Sequence, residues 1–151
     1  MNPGAILKFT TATVPDLRGV KTAISGGPML VSGGQVRQIK LPTSPDPLPF
    51  RFRSMRERHP RSAIGWNAGQ FFLIQVDGRQ EHLSAGMTLE ELGAFARDRL
   101  GCTHVMNLDG GVSSTLWADG RVRNRPCDAG REHDIANAVV VVRRRASQNA
   151  R

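Results

Sequence analysis

The segment Asn107-Leu108-Asp109-Gly110-Gly111-Val112-Ser113-Ser114-Thr115 gathers the residue types of a reactive site into one short run. An apolar strand delivers the Asp109 carboxylate at its C-terminal end, two glycines permit a tight turn, and three hydroxyls follow. Successive backbone N–H groups in such a turn form a concavity for anions, to which Ser113, Ser114 and Thr115 would add donors. The plainer reading is a turn in which Asp109 and the hydroxyls only satisfy nearby backbone groups. A second group is Val76-Asp77-Gly78-Arg79. Residues i and i+2 share a face of an extended chain, so Asp77 and Arg79 are expected to point the same way; otherwise they form a hairpin tip with a solvated arginine. A third is Asn124-Arg125-Pro126, where Arg125 could grip an oxyanion through two N–H groups or be an ordinary surface arginine. Asn137 opens an apolar run and either caps it or joins the site.

Other chemistries lack their spacing. Histidines 59, 82, 104 and 133 show no metal-ligand pattern, and Cys102 and Cys127 form no Cys-x-x-Cys, so neither a metal nor another cofactor is expected. No Walker loop, dinucleotide fingerprint or nucleophile elbow occurs. Glu90 and Glu91 fall in the first turn of a helix, where acids are favoured in any case. Trp66 and Trp117 could stack on a sugar, but tryptophan more often belongs to a core.

The elements that must hold these groups read as follows. Met29-Leu30-Val31 and Gln35 to Ile39 flank Gly33-Gly34 as a hairpin. Prolines at 42, 45, 47 and 49 exclude helix and central strand, and residues 51–61, with five arginines, read as a mobile loop. Ser62–Trp66 and Phe71–Val76 are strands joined at Asn67-Ala68-Gly69, the second so apolar that it is expected to be central and buried. Thr88-Leu89-Glu90-Glu91 is a capping box opening a helix to Leu100, with Leu89, Leu92, Phe95, Ala96 and Leu100 inward and Gly101 as its stop. A strand over 103–108, a hairpin tipped by Asp119-Gly120 and a buried strand over Asn137–Val142 complete an α+β fold: one domain, a mixed and mainly antiparallel sheet with few helices packed on it.

The composition sets limits. The chain has 151 residues, 39% apolar and 23% charged, enough for one globular domain, and no apolar run reaches the ~20 residues of a membrane crossing. The net charge of +8 is uneven: residues 1–61 carry +7, residues 62–142 carry −3 and residues 143–151 carry +4. With no helix-turn-helix, zinc-finger or RNP pattern and few aromatics, this distribution does not specify a nucleic-acid partner. The N-terminus lacks the h-region and cleavage site of a secretory signal. Two cysteines allow one disulfide, which sequence cannot assign.

Seven blocks in order carry a family resemblance: Gly26-Gly27-Pro28-Met29-Leu30-Val31, Arg61-Ser62-Ala63-Ile64-Gly65, Val76-Asp77-Gly78-Arg79, Ser84-Ala85-Gly86-Met87-Thr88-Leu89-Glu90-Glu91-Leu92, Asn107 to Thr115, Asn124-Arg125-Pro126 and Asn137-Ala138. Together they resemble the phosphodiester glycosidase domain, related to the mannose-6-phosphate uncovering enzyme. Val112 stands where members commonly have a third glycine. The resemblance covers 22–142, leaving 1–21 unassigned and 143–151 as a basic tail. It implies an upstream strand and turn that this chain begins too late to hold, so the domain is expected to be N-terminally shortened. Members are often secreted or periplasmic.

The implied activity is hydrolysis of a sugar-1-phosphodiester, of the N-acetylglucosamine or exopolysaccharide-linked kind, to sugar and phosphate monoester. The implied site has Asp109 or Asp77 as base or nucleophile. Arg61, Arg79, Gly110, Gly111, Ser113, Ser114, Thr115, Asn124, Arg125 and Asn137 would bind phosphate or substrate. A non-catalytic module for anionic glycans is the alternative.

Overall fold

The computed structural model describes residues 16–43 and 49–142. The basic tail, residues 1–15, and Pro45 and Pro47 lie outside them. Gly33 and Gly34 both hold positive φ, 58° and 78°, as a two-residue type I′ turn requires. They join β1 (Met29–Ser32) to β2 (Gln35–Val36). The side-chain oxygen of Asn67 accepts the N–H groups of Gly69 and Gln70, each at 2.9 Å. That turn joins β3 (Arg61–Trp66) to β4 (Phe71–Val76). β5 (His104–Asn107) inserts between β1 and β3, giving the order β2-β1-β5-β3-β4 with every pairing antiparallel. A separate ribbon, β6 (Trp117–Ala118) and β7 (Arg121–Val122), turns at Asp119-Gly120.

Among the described residues two α-helices complete the fold, α1 (Phe50–Arg53) and α2 (Leu89–Leu100). The second packs Leu89, Leu92 and Ala96 against Leu30, Val31, Ala63, Cys102 and Val105. Phe95, expected inside, is 40% exposed, and Gly93 takes the core line instead. The buried stripe is i, i+3, i+4, i+7 from Leu89. A Cβ on Gly93 would lie 3.2 Å from the Leu30 carbonyl oxygen, so α2 rests almost directly on the β1 backbone.

The capping box forms as read. Glu91 N–H donates to the Thr88 hydroxyl (3.1 Å), and Thr88 N–H donates to the Glu91 carboxylate (2.9 Å). That backbone donor, with Arg58 beside it, holds the Glu91 carboxyl below its ordinary range. Thr88→Ala is expected to lower stability by about 1 kcal/mol, measured as a shift in the urea midpoint with an unchanged slope.

Three expectations are corrected. β4 is an edge strand, with Phe72, Ile74 and Val76 against the core and Phe71 54% exposed; an apolar run does not say how many neighbours a strand has. Residues 137–142 form no strand, and Val140, Val141 and Val142 are at least 70% exposed. They have the residue types of a strand but pair with neither open edge of the sheet, and the first three of the segment border a cleft beside β4. The arginine-rich stretch is not a free loop: Phe50–Arg53 is helical, and Arg61 opens β3 only 7% exposed. Both cysteines are free thiols, and burial pushes that of Cys102 up from its ordinary value. Among the described residues no helix is long and apolar enough to cross a membrane.

Candidate active site

β5 ends at Asn107 and hands the chain to a turn anchored on Pro60. Gly111 N–H donates to the Pro60 carbonyl at 2.9 Å, and a Cβ on Gly110 would lie 2.8 Å from that same oxygen. Gly111 holds φ +66°, and a Cβ there would meet the Arg79 guanidinium at 3.3 Å. Protein-to-protein approach therefore explains the glycine pair. The amides of Gly110, Ser113 and Ser114 are also spent internally. Gly110 donates to the Asp109 carboxylate (2.9 Å), Ser113 to Gly110 O (3.3 Å) and Ser114 to Gly111 O (3.2 Å). An anion approaching this turn meets side chains rather than those amides.

Two clefts flank the turn. The first, about 360 Å³, is lined by Phe50, His59, Arg61, Arg79, Asn107 and Asp109, together with both turn glycines. Arg61 is locked into its wall, donating to Met87 O (2.9 Å), Ser54 O (2.6 Å) and Glu57 O (2.7 Å). Burial and the nearby Arg79 charge push its guanidinium down in pKa, against Glu57. Arg79 has φ +56°, a costly backbone for a long side chain, and its Nε donates to His59 Nδ1 at 3.3 Å. The second cleft, about 460 Å³, is lined by Ser62, Gln75, Ser113, Thr115, Asp134 and Asn137, with Leu73 and Ile74 of β4 behind them. Leu108, Asp109 and Val112 line both, so Asp109 stands on the shared wall.

Asp77 lies on neither lining. Its carboxylate accepts from Gln75 Nε2 (3.1 Å), Asn124 Nδ2 (3.0 Å) and Arg125 N–H (3.1 Å to each oxygen). Asn124 donates also to Ser114 O (3.0 Å) and accepts from Leu116 N–H (2.8 Å). The buried Ser114 hydroxyl accepts from Ser62 at 3.2 Å. Asp77, Asn124 and the Arg125 backbone thus form a brace holding the chain after the glycine turn, while the Arg125 side chain is exposed. Asp77 and Arg79 do not share a face. β4 stops at Val76, and the positive φ of Arg79 sends its guanidinium toward His59 and Gly111 instead.

The family model for phosphodiester glycosidase matches residues 1–142. The chain belongs to the phosphodiester glycosidase family. It is 28% identical to the SPbeta prophage-derived protein YomE of Bacillus subtilis over 125 residues, 82% of this chain and 18% of that protein. It also matches the zebrafish N-acetylglucosamine-1-phosphodiester alpha-N-acetylglucosaminidase catalytic domain auto-inhibited by pro-peptide. That likeness has a TM-score of 0.56 and 27% identity, over 68% of this chain and 34% of that one. The chain therefore spans about a fifth of the first of these relatives and a third of the second.

Within this member of the family, the predicted residues fall into three places. Arg61, Arg79, Gly110 and Gly111 meet at the first cleft, Ser113, Thr115 and Asn137 at the second, and Asp77, Asn124, Arg125 and Ser114 in or beside the brace. Sequence reasoning missed His59 and Asp134. His59 sits among arginines with no ligand-like spacing, and Asp134 lies in irregular chain; neither position gives a periodic signal.

Burial first, then the Arg79 charge, hold His59 below its ordinary pKa of 6.5, against the opposing hydrogen bond to Glu57. The unfolded chain therefore binds the proton more readily than the folded one. The stabilisation is complete above about 6.5 and is lost as pH falls toward the folded value. The urea midpoint is expected to drop between pH 7.5 and 5.5 in the wild type and to drop less in His59→Asn.

Proposed function

We propose that this chain hydrolyses the C1–O bond of a sugar-1-phosphodiester, with phosphate held in the first cleft and the sugar in the second. One observation carries the reading: Asp109 stands on the wall between a cleft lined by Arg61 and Arg79 and a cleft in which Ser62, Gln75, Ser113, Thr115 and Asn137 stand among apolar side chains and Asp134. The bond between an anionic and a neutral polar half of one substrate would fall beside that carboxylate. The leaving group is a phosphate monoester with a second pKa near ~6, which departs at neutral pH without protonation. One carboxylate and a cationic cradle can then do work that ordinary glycoside hydrolysis divides between two carboxylates.

In this reading Asp109 acts at the anomeric centre as nucleophile or as base for water. Arg79 receives the phosphate, and Arg61 supplies a fixed positive charge behind it. Asp77 braces the site without touching substrate. The zebrafish relative's name points to N-acetylglucosamine as the sugar; an exopolysaccharide-linked diester would present the same bond.

The test is incubation with the methyl diester of α-N-acetylglucosamine-1-phosphate, following both products. Equimolar free N-acetylglucosamine and methyl phosphate are expected. Binding of the diester with no release would replace the hydrolase reading with that of a glycan-binding module.

A further inference from the structure

We propose that Glu57 and His59 form a relay that positions the Arg79 guanidinium for phosphate, and that the relay is competent only while the His59 imidazole is neutral. This deepens the reading above and rests on it.

The geometry fixes the proton. Arg79 Nε carries a hydrogen and donates to His59 Nδ1 at 3.3 Å, so Nδ1 is the acceptor. The ring proton then sits on Nε2, which donates to Glu57 Oε2 at 3.1 Å. Glu57 is itself held from behind by Arg53 at 3.5 Å. The imidazole has little freedom to turn. Its side chain is 13% exposed, its backbone exchanges two hydrogen bonds with Met87, and its carbonyl oxygen would lie 2.3 Å from a Cβ on Gly86. With Nε engaged, Arg79 turns its two terminal nitrogens toward Gly111, where a Cβ would stand 3.3 and 3.5 Å from them. The relay thus holds a strained residue with its donors aimed at the cleft.

Protonation reverses this. A hydrogen on Nδ1 would face the Arg79 N–H, and the imidazolium would lie near the charges of Arg79 and Arg61 with Glu57 its one acidic partner. Arg79 then loses its acceptor and its fixed direction.

The probe is the methyl diester of α-N-acetylglucosamine-1-phosphate, whose single charge does not titrate near neutrality. Its affinity is measured calorimetrically at pH 7.5 and 5.5, with Asp109→Asn in every chain compared so that the diester binds without turning over. Wild-type affinity is expected to fall about tenfold on acidification, the scale of one charge-assisted hydrogen bond. His59→Asn keeps an acceptor near Nδ1 that does not titrate, so its affinity should be the same at pH 5.5 as at pH 7.5. His59→Gln reaches toward Glu57 and lacks that acceptor, so it should bind weakly at both.

Equal or tighter wild-type binding at pH 5.5, or wild-type pH dependence in His59→Asn, overturns the proposal. A second measurement needs no ligand: nitrogen NMR of the imidazole should show the Nε2–H form, with a midpoint that rises in Arg79→Met. A proton on Nδ1, or a midpoint indifferent to Arg79→Met, also overturns it. No diester binding at any pH would count against the hydrolase reading, and the NMR result would still decide the relay.

Discussion

Asp109→Asn is expected to lower turnover of a sugar-1-phosphodiester by roughly 10²- to 10⁴-fold, the range for loss of a positioned base, while the diester still binds. The substitution isolates charge from shape. Asp109 makes one structural hydrogen bond, accepting Gly110 N–H at 2.9 Å, and an asparagine oxygen accepts it equally well. Circular dichroism and the urea midpoint should therefore match wild type. The comparison is Asp77→Asn. Asp77 anchors Asn124 and Arg125 from outside both clefts, so turnover should change little beyond any loosening of that brace. Asp134→Asn belongs beside them, because Asp134 is the other carboxylate lining the second cleft. If Asp77→Asn abolished turnover while Asp109→Asn did not, the roles assigned to the two carboxylates would be reversed.

Arg61→Met should unfold more readily than any surface arginine variant, by about 3 kcal/mol or more. Three carbonyls, those of Met87, Ser54 and Glu57, would lose their donor at a buried position, each at a cost of about 1–3 kcal/mol where water does not replace it. Arg61→Lys is expected to restore little, since one ammonium cannot reproduce a planar fork that reaches three acceptors. Arg125→Ala provides the contrast. Its side chain is exposed while its backbone makes the structural bonds, so stability should stay within about 0.5 kcal/mol of wild type. Denaturant unfolding of the three variants side by side separates an arginine that builds the wall from one that decorates the surface.

Local codes carried the fold furthest. Gly-Gly at 33–34, Asn67 and the Thr88–Glu91 box each specify their element through hydrogen bonds within a few residues, and each forms as read. What failed depended on neighbours. The run from Phe71 to Val76 looks central and lies at an edge, and the valines after Asn137 find no partner strand.

The site divides in the same way. Asp109-Gly110-Gly111 is conspicuous in the sequence, yet the glycines make room for Pro60 and Arg79, protein groups that sequence does not place there. Asp77 and Arg79 read as a pair because strands alternate; a single positive φ separates them. His59 is invisible because its role comes from Glu57, Arg79 and Met87 converging on it through space.

The central claim is that water attacks carbon and not phosphorus. Turnover of the methyl diester in ¹⁸O-labelled water tests it most directly, with both products weighed by mass spectrometry. The label is expected in N-acetylglucosamine and not in methyl phosphate. Label in methyl phosphate would mean P–O cleavage, a phosphodiesterase reaction, and would contradict the placement of the scissile bond beside Asp109.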